Sequence, residues 1–348
     1  LARPPEEPER VSPMEALLAP ADALRARLYR LAAPWAGPLF ADRERRVAWL
    51  GVTGVAFSFL LTLAVPLWSL ALGPVLLGVP HLVSDLRYLV VRPGLYRRSG
   101  LAVLGGVPLL ATCLGAGPAV GLLAMVPATL GARGPRWRKG LVLSGWAVLT
   151  VLALGLPRGF QLTLLHGHNV LAVALWWWAW RSRHSRAWGV PLLAAAGTVA
   201  LLLGVAEPVL TALGAWTAPA TGTSFGEFVE QLSPLEGHPV LAPRLVLVFA
   251  FLQSVHYGVW LRLIPEEARP RLAPRPWRAT WRALVEDFGA PLLVGFLLLA
   301  VGVLAVGLVD LPRARLGYLQ LAVFHGYLEL AVSALWLVEG RIGSADPT

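Results

Sequence analysis

Charge is scarce in this chain. Only 14% of its 348 residues are Asp, Glu, Lys or Arg, where a soluble globular protein carries about 25%. Cysteine is nearly absent. The single Cys113 lies in an apolar run, which excludes a disulfide framework and leaves the redox compartment open. The first forty residues hold no continuous apolar core of signal-peptide type. There is no Walker A loop, no dinucleotide fingerprint, no Gly-x-Ser-x-Gly elbow and no Cys-x-x-Cys-His haem attachment. The HxxxH and HxxHH clusters of membrane fatty-acid desaturases are also missing, which argues against a desaturase of the usual pattern.

What the chain has is apolar length. It is 56% hydrophobic, with a mean hydropathy of +0.63. Apolar runs near 20 residues recur, as in a polytopic helical membrane protein. Ten segments are expected, at about 47–70, 74–91, 100–115, 117–132, 140–156, 160–180, 188–207, 243–264, 289–309 and 315–338. Gly115-Ala116-Gly117-Pro118, between the third and fourth, also fits a re-entrant turn. Basic residues fall mainly in alternate connections: Arg43, Arg45 and Arg46; Arg92, Arg97 and Arg98; Arg133 to Lys139; Arg181 to Arg186; Arg262 to Arg282. This alternation predicts ten spans with both termini in the cytoplasm, and it fits a bacterial plasma membrane. The net charge of +10 is therefore read as inner-loop arginine facing a bilayer, and no nucleic-acid partner is expected.

Residues 1–46 form a polar tail or an interfacial helix over Met14–Leu31, with a break expected at Pro20. The connection 217–242 carries Glu227, Glu230 and Glu236 and no Lys or Arg, and is placed outside, where it is suited to capping a site. Residues 265–288 set Trp277, Trp281, Leu284 and Phe288 among arginines, the pattern of an amphipathic helix on an anionic inner leaflet. Trp176, Trp177, Trp178 and Trp180 read as an interfacial aromatic belt. Residues 341–348 are a tail.

Against this apolar background, polar groups concentrate in four segments. His81 and Asp85 stand four apart, on one helical face. His325 and Glu329 repeat that spacing, and Gln253 and His256 are three apart. His166 and His168 begin another such stretch. Two apart, they face nearly opposite ways on a helix, and Asn169 on the His166 face favours His166. Five of the seven histidines lie in these four segments, and His184 and His238 lie in connections. All four segments run from outside to inside. At about 1.5 Å per residue, His81 and His166 lie roughly 10 Å from the outer end, His325 roughly 15 Å and His256 roughly 20 Å. Ionisable groups at such depth are costly and are functional candidates. Neutral imidazoles with open positions suit Fe(II), Zn or Cu, with the carboxylates of Asp85 and Glu329 ligating or orienting them. Tyr257 and Tyr88 are candidate hydrogen-bonding groups beside the site, and Arg87 is expected to snorkel inward.

The stretch Gly78-Val79-Pro80-His81-Leu82-Val83-Ser84-Asp85 resembles the Gly-x-Pro-His-x-x-x-Asp element of the Brp/Blh family. Its members are multi-pass microbial enzymes resembling β-carotene 15,15′-dioxygenases, which cleave β-carotene to retinal with iron held by membrane-embedded histidines. The resemblance implies that His81 is a ligand, with His166, His256 and His325 as ligand candidates by placement. The His-x-x-x-His pair associated with that family has no counterpart here.

The leading expectation is a membrane-embedded, histidine-ligated oxygenase, with Fe(II) as metal, O2 as co-substrate and a carotenoid-like hydrophobic small molecule reaching the site from the lipid. The competing expectation is a transporter or channel that uses the same His, Asp and Glu groups as a proton relay. A third is a pigment-binding partner whose histidines are structural.

Overall fold

The structure, a computed structural model, describes residues 12–181, 188–235, 237–269 and 272–340. His184, Glu236, Arg271 and the two ends of the chain lie outside the described residues. Every regular element among the described residues is helical.

α1 (Pro13–Ala41) starts with a capping box. Ser12 Oγ accepts the Glu15 N–H and the Glu15 carboxylate accepts the Ser12 N–H. The break expected at Pro20 does not occur, and Pro20, Pro34 and Pro38 all lie within the helix. A proline costs an isolated helix about 3 kcal/mol. Here the turn after Pro20 is held from outside. Asp22 accepts the N–H groups of Trp277 and Arg278, and Arg25 donates to the Pro274 and Arg275 carbonyls.

α2 (Arg43–Ala64) is followed after one residue by α3 (Pro66–Asp85). The joint therefore falls at Val65–Pro66, earlier than the 71–73 read from hydropathy. Pro66 cannot donate to α2, and its fixed φ suits the first position of a new helix. α4 (Ser99–Cys113), α5 (Pro118–Leu122) and α6 (Met125–Gly131) occupy the third and fourth apolar segments. α7 (Arg136–Gly155) and α8 (Pro157–Leu175) follow, then α9 (Gly189–Leu202) and α10 (Ala206–Leu213), which are bent by 71°. α11 (Phe225–Leu232) lies in the long acidic connection. α12 (Leu241–Gly258) and α13 (Ile264–Glu267) lead to α14 (Trp277–Phe288). This last helix is the amphipathic one expected in 265–288, and it packs on α1. α15 (Ala290–Val309), α16 (Leu311–Ala322) and α17 (Phe324–Glu339) complete the chain.

Six stretches are long and apolar enough to cross a membrane: 43–64, 66–91, 136–155, 241–267, 290–309 and 311–339. The bent α9–α10 pair makes a seventh if it counts as one span. Among the described residues fewer than the expected ten helices have spanning length and hydropathy, for physical reasons. α4 has 15 residues, about 22 Å of helix against a hydrocarbon core of about 30 Å. The fourth segment breaks at Leu123–Ala124, between α5 and α6. α8 carries Arg158, Gln161, two histidines and Asn169, which dilute its hydropathy. α7 and α15 show almost no burial within the protein, as expected for helices that are apolar all round and face lipid.

α12 is the central helix. It packs against α2, α3, α8 and α9, and most of its side chains are buried. Three of the helices around the centre end in a wider π-helical turn: α3 at Leu86–Val91, α8 at Trp176–Arg181 and α12 at Val259–Leu263. Trp176 is fully buried, and the Trp180 ring lies 6.5 Å from Trp260 and 5.9 Å from Trp336. These tryptophans thus pack inside the bundle, where the α12 turn and α17 cover the end of α8, and Trp176 at least is no part of an interfacial belt.

Arginines gather around the carboxylates of α13 and α14. Arg46 donates from Nε and Nη2 to Glu266 at 2.9 and 2.6 Å, and Arg269 pairs with the same carboxylate. Arg87 does not snorkel. It is buried, donating to Asp287 at 2.5 Å and to the Ala283 carbonyl at 3.0 Å. Burial, with Arg46, Arg262, Arg275 and Arg43 around it, pulls the Arg269 guanidinium down to about 10.

Candidate metal centre

Four helices each bring one buried histidine to a common point: His81 from α3, His168 from α8, His256 from α12 and His325 from α17. The His81 ring centroid lies 5.2 Å from His256 and 4.9 Å from His325. The His168 ring lies 4.9 Å from each of His256 and His325. One ring nitrogen from each of His81, His256 and His325 falls within 4.8 Å of the others.

The backbone sets which nitrogen points inward. A carbonyl oxygen only accepts, so each imidazole that touches one places its proton there. His81 Nδ1 donates to the Gly78 carbonyl at 2.6 Å, His168 Nδ1 to Leu164 at 3.3 Å, and His325 Nδ1 to Ala322. Nε2 of these rings is then the unprotonated, lone-pair nitrogen. His81 Nε2, His325 Nε2 and both ring nitrogens of His256 are buried without a hydrogen-bond partner among the described residues. Buried polar atoms are normally satisfied, so one unpartnered lone pair on each of His81, His256 and His325 marks this as a candidate metal site. The small cavity between the rings, about 30 Å3, is also lined by Tyr257, Tyr318 and Asn169, and has room for an ion or a single water.

The sequence favours His166 over His168, and the structure reverses this. His168 shares its face with Ala172 and Leu175, both buried, whereas Val170, four residues after His166, is 53% exposed. His166 instead donates from Nε2 to the Leu232 carbonyl at 2.9 Å, fastening α8 to α11. Asn169 is on the buried side with His168, its Oδ1 unpartnered.

The carboxylates do not orient the imidazoles, since backbone carbonyls do that. Asp85 Oδ2 lies 3.7 Å from His81 Nε2, and neither Asp85 oxygen has a hydrogen-bond partner among the described residues. Glu329 Oε1 accepts from Trp260 Nε1 at 3.1 Å, and its Oε2 is unpartnered. Asp85 and Glu329 thus set two buried carboxyl groups beside four imidazoles. His81, His256 and His325 could hold a metal ion, with the His168 ring beside them.

Tyr257 packs its ring 4.9 Å from His81, and its hydroxyl accepts from Gln253 Nε2 at 3.2 Å. Tyr88 is buried elsewhere, under the guanidinium groups of Arg87 and Arg92. Tyr318 and Trp260 escape sequence reasoning. The Tyr318 hydroxyl lies 3.2 Å from His81 Nδ1 and shares that N–H with Gly78. A Cβ on Gly78 would stand 2.3 Å from the Tyr318 ring, so the glycine of the Gly-x-Pro-His element is what admits the tyrosine. The available signal was spacing: Tyr318 precedes His325 by seven residues and Trp260 follows His256 by four, each on its histidine's face.

A second cavity, of about 380 Å3, opens beside the first and shares Leu165, His168, Leu319 and His325 with it. α11 closes one side through Gln231 and Leu232, so the long connection does cover a pocket. Set against protein-family models, curated proteins and solved structures, the chain matches none of them.

Proposed function

We propose that the protein is an integral-membrane metalloenzyme, an iron oxygenase acting on a lipid-soluble substrate held in the larger cavity. The observation that carries this reading is the convergence of histidines from four helices, three of them with unpartnered ring nitrogens within 4.8 Å of one another, against a cavity of substrate size. His81, His168, His256 and His325 hold the metal, and Asp85 and Glu329 balance its charge. Iron held there would supply O2 activation. Tyr318 and the Gly78 carbonyl keep the His81 proton on Nδ1, leaving Nε2 free. Tyr257 accepts from Gln253 and so keeps its own hydroxyl proton free to donate into the small cavity.

The finer topology also belongs to this proposal. The basic connections face the cytoplasm of a bacterium, α11 lies outside, and the substrate enters from the bilayer. The carotenoid-like substrate suggested by the Brp/Blh resemblance rests on the Gly78–Asp85 element alone.

The deciding experiment is metal analysis by mass spectrometry of detergent-purified protein, wild type beside His81→Ala and His325→Ala. The expected result is near-stoichiometric iron, lost from both variants. Absence of bound iron, zinc or copper from the wild type, even after reconstitution, would overturn the enzyme reading and favour a proton-relay transporter built on Asp85 and Glu329.

A further inference from the structure

Among the described residues four arginines are buried: Arg46, Arg87, Arg269 and Arg315. Three have a carboxylate, namely Glu266 for Arg46 and Arg269 and Asp287 for Arg87. Arg315 has none in ion-pair range among the described residues. It is 3% exposed, its Nη1 donates to Gln231 Oε1 at 2.7 Å, and its guanidinium lies 4.7 Å over the Phe228 ring. Nε has no partner, and Nη2 makes no hydrogen bond to a described residue. A guanidinium stays protonated at neutral pH, and a buried charge without a counter-ion is strongly unfavourable. The unpartnered Nε–Nη2 edge is the fork that takes a carboxylate in two parallel hydrogen bonds.

Arg315 lines the same 380 Å3 cavity that ends at His168 and His325. The two walls share one polarity. In α8, Arg158 precedes His168 by ten residues, and across α16 and α17 Arg315 precedes His325 by ten. Ten residues span roughly 15 Å of helix. Between the basic end and the histidine end the walls are mostly apolar, with Leu162, Leu165, Leu316 and Leu319 outnumbering Gln161 and Gln320.

We infer that this cavity binds a long-chain carboxylate, its head group paired with Arg315 and its apolar chain running to His168 and His325. A hydrocarbon without a polar end leaves the Arg315 charge uncompensated. The head-group contact stands by itself. That the chain end is the reacting part rests on the metal-centre reading above.

The test uses cis-parinaric acid, a fluorescent polyene fatty acid, and its methyl ester, titrated into the full-length protein in lipid nanodiscs. Wild type is expected to bind the acid saturably and the ester at least about tenfold more weakly, the scale of one charge-assisted hydrogen bond. Arg315→Gln is expected to bring the acid down to the affinity of the ester, while Arg315→Lys keeps part of the preference. Equal binding of acid and ester by wild type overturns the inference, whatever the variants do. So does a full acid preference in an Arg315→Gln protein that melts like wild type. Metal content of the same samples separates the two readings: acid preference without metal overturns the metal centre alone, and metal without acid preference overturns the carboxylate pocket alone.

Discussion

His166 and His168 divide the work of one helical turn. His168 faces the other imidazoles and His166 reaches the carbonyl of Leu232. His168→Ala is expected to lower metal affinity by about 10–100-fold, read by metal titration. His166→Ala should keep the metal and lose only the tie to α11, worth about 0.5–1.5 kcal/mol, read as faster hydrogen exchange over 225–232. Equal metal loss in both would defeat the assignment. Gly78 gives a second residue-level prediction. The Cβ of Gly78→Ala meets the Tyr318 ring at 2.3 Å, an overpacking that costs about 1–3 kcal/mol and moves the hydroxyl off His81. Tyr318→Phe removes the hydroxyl without the clash, so metal affinity should fall in both variants while thermal stability falls mainly in Gly78→Ala. His81, His256 and His325 were legible in the sequence because a polar group in an apolar run stands out. Tyr318 and Trp260 were not, because an aromatic residue in an apolar run looks like packing until its partner on another helix is known. The choice between His166 and His168 turned on which face of α8 is covered, which the burial of Ala172 and Leu175 decides.

At the scale of elements, helix existence was legible and helix joints were less so. Hydropathy carries no mark at Val65, and only the proline rule locates the start of α3. Pro20 misled in the opposite direction, since the contacts that hold α1 through it come from residues more than 250 positions away. Those contacts make a pH-sensitive joint. Burial by itself raises the Asp22 carboxyl, but the N–H groups of Trp277 and Arg278 and the Arg278 guanidinium together hold it below its ordinary value. A depressed carboxyl stabilises fully above its unfolded pKa, about 3.9, and loses that contribution as pH falls through the folded value. The α1–α14 contact should therefore be firm at neutral pH and loosen below about pH 4. Hydrogen exchange over 277–288 should accelerate in acid. Asp22→Asn should be loose already at neutral pH, by about 1 kcal/mol for a weakened cap. An acid profile unchanged by Asp22→Asn would show that another group controls the joint.

For the molecule as a whole, membrane character was legible from composition, while ten apolar segments are not matched by ten helices of spanning length among the described residues, because apolar content and helix length are different quantities. α4 and the broken α5–α6 segment are apolar enough but short, and they turn at Gly115–Gly117. A turn at that depth should be shielded. In a Cys113→Ser background, a cysteine at Ala116 is expected to resist a membrane-impermeant maleimide from either face of sealed vesicles, while one at His238 labels readily. Rapid labelling at Ala116 would restore two full crossings there. The π-helical turns have a consequence at this scale as well. Each adds a residue to its turn, and one residue is about 100° of helical rotation. They act as a vernier between two dials: the histidine end and the far end of α3, α8 and α12 are set to different angles, so either end can be adjusted while the other keeps its setting.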